Sequence, residues 1–274
     1  MTKKPEISII TACYNHGALI GEMLESVMNQ TFTNFELVIV NDGSTDNTAQ
    51  ILNNINNKKV KIIHTENHGP ASARNTAIKN AVAPLIMNLD ADDMIAKDLL
   101  EKAYSILTSN PAIGIVYTDV EFFGAKSGKF ITEEYSTEAM LTDNRIVSNA
   151  FFRKDDWLST GGFSDELIYG LEDWDFWLQI IELGREVVKI KEPLVFYRTY
   201  PDPSTYRSGK RKSNRMKQLE SLAIIFNRHR QLYSEYPEVW NHFAKLEKKF
   251  RTENKLVRFA KNNLFGLMQK YYWK

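Results

Sequence analysis

Three aspartates stand within four positions in the stretch PLIMNLDADDM, residues 84–94: Asp90, Asp92 and Asp93. Leu85, Ile86, Met87 and Leu89 ahead of them are apolar, so the acids sit at the end of a predicted buried strand. Carboxylates that close raise one another's pKa and cost stability. A hard divalent cation, Mn2+ or Mg2+, held between Asp90 and Asp92 offsets that cost and also grips phosphate oxygens. Strand-end acids that cap the next helix are the plainer reading of the same residues.

Three further stretches carry chemistry. In VIVNDGSTDNT, residues 38–48, Asp42 ends a strand before a glycine turn, where an acid can hold a nucleobase or ribose. Ser44 or Asp46 is left to cap the following helix. In NHGPASARN, residues 67–75, Gly69-Pro70 opens a helix and places Arg74 on its first turns. A guanidinium there can pair with phosphate or carboxylate. In GGFSDELIYGLEDWDFWLQI, residues 161–180, Glu172, Asp173 and Asp175 lead a helix interleaved with Trp174, Phe176 and Trp177. The acids complement the helix dipole, and the aromatic residues are core by their type. A carboxylate at a helix start between aromatic platforms also suits a general base facing a sugar hydroxyl. There is no G-x-x-x-x-G-K-[ST] loop, no G-x-G-x-x-G fingerprint, no nucleophile-elbow serine and no two-histidine zinc spacing.

The elements that must position these residues follow from periodicity. Strands are expected at 6–12, 35–40, 60–63, 85–89 and 113–118. Helices are expected at 18–28, from the Asp42–Thr45 turn to about Asn56, at 71–81 and at 97–109. Such βα alternation argues for an open, doubly wound sheet with right-handed crossovers. Sheets of this kind bind ligands at the carboxyl ends of their strands, where residues 11–15, 41–44 and 90–93 lie. After residue 119 the pattern changes to short strand-like runs at 119–123, 129–132 and 146–153. A helix at 172–184 and two strands at 187–190 and 194–197 follow. Residues 199–209 are proline-rich and loop-like, and the chain reads mostly helical from Lys210.

The chain has 274 residues, of which 43% are hydrophobic and 25% charged, the balance of a soluble globular protein. Cys13 is the only cysteine, so no intrachain disulfide can form, which fits a reducing compartment. The apolar run near the N-terminus is too short for a signal segment, and no stretch approaches the ~20 apolar residues of a membrane span. The net charge of +1 hides an asymmetry. Residues 205–274 hold 17 basic and 5 acidic residues, and the remainder holds 18 and 29. A stripe of Phe243, Leu246, Phe250, Val257, Ala260, Leu264 and Met268 runs through the basic tail. Such a tail suits an anionic membrane surface or serves as a solvated helical appendage. No recognition module for nucleic acid accompanies it.

Taken in order, SIITACYNHG, FELVIVNDGSTD, NHGPASARN, LDADD, GGFSDEL and LEDWDFWLQ resemble the family 2 glycosyltransferases, over roughly residues 5–200. The resemblance implies the GT-A fold: an α/β, open, mostly parallel sheet flanked by helices, a Rossmann-like nucleotide-sugar binding domain. That domain would span 1–205, with a nucleotide-sugar half at 1–118 and an acceptor half at 119–205, followed by a basic helical C-terminal extension at 206–274. It implies inverting transfer of a single sugar from a nucleotide-sugar donor, UDP-linked by family habit. The acceptor would be a saccharide or lipid-linked saccharide hydroxyl in cell-surface glycan assembly. The setting would be the cytoplasm or the inner face of the membrane. By resemblance, Thr11 and Tyr14 line the base pocket and Asp42 bonds the base. Arg74 lies near the diphosphate, Asp90 and Asp92 hold the metal, and Asp93 lies close to the donor sugar. Asp173 is the general base, with Glu172 the fallback. The chain departs from many relatives in carrying Tyr200 where they carry a histidine after a Tyr-Arg strand end, so that water or another histidine would complete the cation's shell. It also lacks the Gln-x-x-Arg-Trp motif of processive relatives. The rival readings are a sugar-phosphate nucleotidyltransferase, which would want a glycine-rich N-terminal loop, and a degenerate glycan- or nucleotide-binding protein.

Overall fold

The apolar runs at 6–12 and 35–40 become adjacent interior strands of one nine-stranded sheet. The computed structural model describes residues 4–202 and 215–239. Its strands are β1 (Ile7–Cys13), β2 (Phe35–Asp42), β3 (Val60–Thr65), β4 (Leu85–Asn88), β5 (Met94–Ile95), β6 (Ile113–Gly124), β7 (Gly128–Phe130), β8 (Phe151–Arg153) and β9 (Glu186–Thr199). The helices are α1 (Ile20–Met28), α2 (Thr48–Asn53), α3 (Pro70–Asn80), α4 (Leu99–Ser109), α5 (Thr137–Thr142), α6 (Lys154–Ser159), α7 (Glu172–Glu182), α8 (Arg215–Arg228) and α9 (Arg230–Ser234). Contacts divide the chain into two compact units. Of the described residues, one comprises 4–135, 145–165 and 172–201; the other comprises 136–144, 166–171, 202 and 215–239.

In the first unit the strand order is β3-β2-β1-β4-β8-β6-β9-β5, with β7 paired to β6. β1 to β4 pair in parallel, as do β6 and β9. The short β8 is antiparallel to both β4 and β6, so it reverses the sheet for three residues between two parallel blocks. The sheet is thus mostly parallel and flanked by helices, as the alternation implies. β2 is buried on both faces, which is why it reads as an unbroken apolar run. α1 buries Ile20, Met23 and Val27, spaced by three and four, on one stripe.

The second unit, as far as it is described, holds α5, α8 and α9. Ser136 caps α5 by accepting the Ala139 N–H. The Tyr233 hydroxyl on α9 donates to the Leu141 carbonyl at 2.9 Å. Most of the basic tail, including the stripe from Phe243 to Met268, lies outside the described residues. Among the described residues no helix is long and apolar enough to cross a membrane.

Several elements differ from expectation. The two strands expected at 187–190 and 194–197 are one strand, β9. Its pairing with β6 slips around Lys191 and Glu192, and Pro193, which has no N–H to give, sits in that irregularity. β6 runs without a break across residue 118, where the two halves were expected to meet. Helix α2 ends at Asn53, and residues 146–150 are loop that leads into β8. The six-residue helices α5 and α6 are too short to show a period in the sequence. Cys13, at the end of β1, is fully buried, and burial pushes its thiol pKa up to about 12.

Candidate active site

The β1–α1, β2–α2 and β4–β5 loops all leave the carboxyl ends of parallel strands, so the folding of the sheet alone gathers their polar residues on one edge. Asn15 is held in the left-handed region at φ 56, and its Oδ1 accepts the backbone N–H of Thr45 and Asp46. Two of the three loops are thereby tied together. Tyr14 leaves this junction with its ring 43% exposed. Thr11, three residues earlier, is fully buried, and its Oγ1 has no hydrogen-bond partner among the described residues.

Asp42 does not face open space. One of its oxygens accepts the His68 N–H and the other the Gly69 N–H, both at 2.9 Å. These two amides lead into α3, whose first residue is Pro70 and whose N-cap, Gly69, sits at φ 87. Glycine tolerates that angle and proline suits the first helical position, so GP marks this start. Asp42 thereby shapes the loop at 65–69.

One turn along α3, Arg74 is buried and carries the centre of the site. Its Nε donates to Asn88 Oδ1 at 3.1 Å, one NH2 nitrogen to Asp90 Oδ1 at 2.8 Å, and the other to Glu172 Oε1 at 2.6 Å. Burial alone would lower the pKa of this guanidinium, but Asp90 and Glu172 more than reverse that and raise it. A single cation thus joins the acidic turn after β4 to the start of α7. Asn88 is itself oriented by Ser148, whose carbonyl and hydroxyl both accept from its amide.

The three aspartates of the turn have separate surroundings. Asp90 and Asp92 are partly exposed, with side-chain exposures of 28% and 21%. Asp92 Oδ2 accepts the Tyr200 hydroxyl at 2.5 Å and lies 3.9 Å from His16 Nε2. Asp93 points inward. Burial, then its neighbours Asp92 and Asp90, hold its pKa well above the usual carboxylate range. Both its oxygens are engaged, one by Asn149 Nδ2 and one by the Arg198 N–H, which ties it into the scaffold.

Arg74 already takes Asp90 Oδ1 and Tyr200 takes Asp92 Oδ2, which leaves Asp90 Oδ2 and Asp92 Oδ1 without a hydrogen-bond partner among the described residues. Two open carboxylate oxygens, two positions apart on one turn, fit a hard cation. No cluster of three or more His, Cys, Asp or Glu placed to hold a metal occurs among the described residues. A cation at Asp90 and Asp92 would complete its shell with water and substrate oxygens.

Glu172 is buried in its ion pair with Arg74, whereas Asp173 next to it is only partly buried. Burial and the Glu172 carboxylate push the Asp173 pKa up to about 6, against the opposing pull of Arg74 and of the Trp174 N–H. Trp174, Phe176 and Trp177 are buried, and Phe176 and Trp177 pack edge-on with Phe152 in the core. They are the buried face of α7, so the core reading of these aromatic residues holds and they form no exposed platforms beside the acid. Sequence reasoning missed Asn88, Ser148, Asn149 and Arg198. A polar Asn88 inside an otherwise apolar strand was the available signal.

The family described as Glycosyl transferase family 2 matches residues 8–160. Hyaluronan synthase of Pasteurella multocida is 31% identical over 192 residues, covering 68% of this chain and 20% of the synthase. An uncharacterized glycosyltransferase of Haemophilus influenzae is 32% identical over 200 residues, 69% of this chain and 67% of its own length. The chain spans between about a fifth and less than half the length of three further-ranging relatives, two of them the hyaluronan and chondroitin synthases. Among solved structures, Staphylococcus aureus TarS 1-349 in complex with UDP shares the fold at a TM-score of 0.61, with 24% identity, over 82% of this chain and 71% of that one. So does the mannosyltransferase PcManGT of Pyrobaculum calidifontis, in complex with GDP-Man and Mn2+, at a TM-score of 0.64, with 18% identity, over 99% of this chain and 82% of that one. Fold, motif order and family match coincide, and the chain belongs to glycosyl transferase family 2.

Proposed function

We propose that this protein is an inverting, metal-dependent glycosyltransferase that moves one sugar from a UDP-linked donor to a hydroxyl of a saccharide or lipid-linked acceptor. The observation that carries the reading is the buried Arg74 bridge, which gathers Asp90 and Glu172, and with Glu172 its neighbour Asp173, around one charge. The reading is supported by relatives named hyaluronan and chondroitin synthase, and by structures of the same fold that hold UDP-GlcNAc or GDP-Man with Mn2+.

Asp90 and Asp92 would hold Mn2+ or Mg2+, which when bound supplies Lewis-acid neutralisation of the leaving diphosphate. The exposed Tyr14 ring stacks on the base, Thr11 backs the pocket from beneath, and Asp42 holds its wall. Asp173 accepts the proton of the acceptor hydroxyl while that oxygen bonds to the anomeric carbon. The bond from carbon to the diphosphate oxygen breaks on the opposite face, and a single displacement inverts the centre. Burial and the Glu172 carboxylate hold the Asp173 pKa up against the pull of Arg74 and keep it poised near neutrality. The basic extension at 206–274 is read as a contact for an anionic membrane surface, where lipid-linked acceptors are presented.

Thermal unfolding with UDP, GDP or dTDP, each with Mn2+ or with EDTA, tests this. One nucleotide with Mn2+ is expected to stabilise the fold, by about 2.7 kcal/mol at a hundredfold excess over Kd, and EDTA to remove the effect. Stabilisation that survives EDTA would overturn the metal dependence, and no response to any nucleotide would favour the degenerate binder.

A further inference from the structure

Asn149 lies in the loop before β8 and is 1% exposed. Its side-chain amide meets both ends of the acidic turn. Oδ1 accepts the Asp90 N–H at 2.9 Å, and Nδ2 donates to Asp93 Oδ2 at 2.5 Å. The turn closes on itself through the Asp93 N–H and the Asp90 carbonyl at 3.2 Å. β9 secures the far side: the Arg198 N–H donates to Asp93 Oδ1 at 2.8 Å, and Arg198 Nε donates to the Asp92 carbonyl at 2.9 Å.

This wiring works in one orientation only. A carboxylate can only accept, whereas an amide accepts at oxygen and donates at nitrogen. Asp93 must accept from two donors, and Asn149 must accept from one group while donating to another. Neither side chain is open to a ligand, and each is essentially buried. What they determine is the direction in which Asp90 and Asp92, the residues between and beside their anchor points, present their carboxylates.

We propose that Asn149 and Asp93 are a positioning pair that holds the Asp90–Asp92 turn in its cation-binding shape. The pair acts through the turn and touches neither cation nor donor. The proposal rests on the metal-dependence reading above, since it deepens that same site.

The experiment is an exchange of the two side chains, read by Mn2+ titration of the full chain under electron paramagnetic resonance. In Asp93→Asn, one of the two new amide faces must set a donor against a donor, whichever way it turns. In Asn149→Asp, Asp93 loses the amide that donates to it and faces a second acid instead. Each single variant is expected to weaken Mn2+ binding by about 10- to 100-fold, the usual effect of losing a partner behind a metal ligand. In the double variant Asp93→Asn/Asn149→Asp, the amide at 93 accepts from Arg198 and donates to the carboxylate at 149, which accepts the Asp90 N–H. Every hydrogen bond and the net charge are retained, and Mn2+ affinity is expected to return to within about threefold of wild type.

Single variants that bind Mn2+ as wild type does would overturn the pair. So would a folded double variant that does not recover. Hydrogen exchange at the Asp90 amide of the unaltered, metal-free protein serves as a second measurement that needs no variant. Protection is expected, and exchange at the rate of an open loop would overturn the clamp. Wild type that binds Mn2+ no better than Asp92→Asn would overturn the metal reading and the pair with it, whereas normal wild-type binding with indifferent single variants overturns the pair alone.

Discussion

Asp173 owes its poise to a conflict among near neighbours. Burial and Glu172 favour its protonated form, and Arg74 opposes them, leaving a pKa of about 6 instead of the ordinary 3.8. A base must be unprotonated to act, so kcat/KM is expected to rise with pH through an inflection near 6 and to level above it. Asp173→Asn is expected to lower kcat by about 10²–10⁴-fold while nucleotide binding persists. Stability should move the other way. A raised pKa favours the folded chain only while the carboxyl is protonated; that contribution is full below about 3.8 and lost as pH rises through 6. At pH 8 the asparagine variant should therefore unfold at higher urea, by about 1–3 kcal/mol. A flat pH profile, with activity kept in the variant, would remove Asp173 from the role of base. The acids themselves were legible in the sequence because they break apolar runs. Which of them point outward was not, since Asp42 and Asp93 are indistinguishable from Asp90 and Asp92 until their hydrogen-bond partners, 26 and 56 or more residues away, are in place.

Among the elements, the loops that leave the parallel strands are held by backbone geometry as much as by side chains. Gly43 follows Asp42 at φ 67, and a Cβ there would lie 2.6 Å from the backbone nitrogen of Asn67. Backbone cannot swing aside as a flexible side chain can. Gly43→Ala is expected to cost roughly 1–3 kcal/mol and to weaken nucleotide affinity, because it drives apart the two loops that Asp42 joins. Equal urea midpoints and unchanged affinity would contradict this. The strands and longer helices of the first half were readable because period and burial coincide there. The reading failed where a single residue decides the outcome. Two strands were expected at 187–190 and 194–197, yet Pro193 sits within one continuous strand, because a parallel neighbour tolerates a missing N–H at an irregularity. The strand-like run expected at 146–153 shrinks to the three residues of β8, because the sequence does not mark where the loop ahead of it ends.

For the molecule as a whole, charge and thiol content set the terms on which it meets its surroundings. The 17 basic residues against 5 acidic ones after residue 204 are expected to draw the full chain onto vesicles rich in phosphatidylglycerol, and salt should release it within a Debye length of screening. Co-sedimentation that is equal on neutral and anionic vesicles would refute the surface reading. The chain's only sulfhydryl group is Cys13, buried at the end of β1 with its pKa pushed up to about 12. It is therefore silent to maleimides and to mild oxidants while the fold is intact. The protein comes with a blank background for labelling: a cysteine introduced at an exposed position such as Ser127 would carry a spin label or fluorophore as the sole adduct, with no need to remove the native residue from the core.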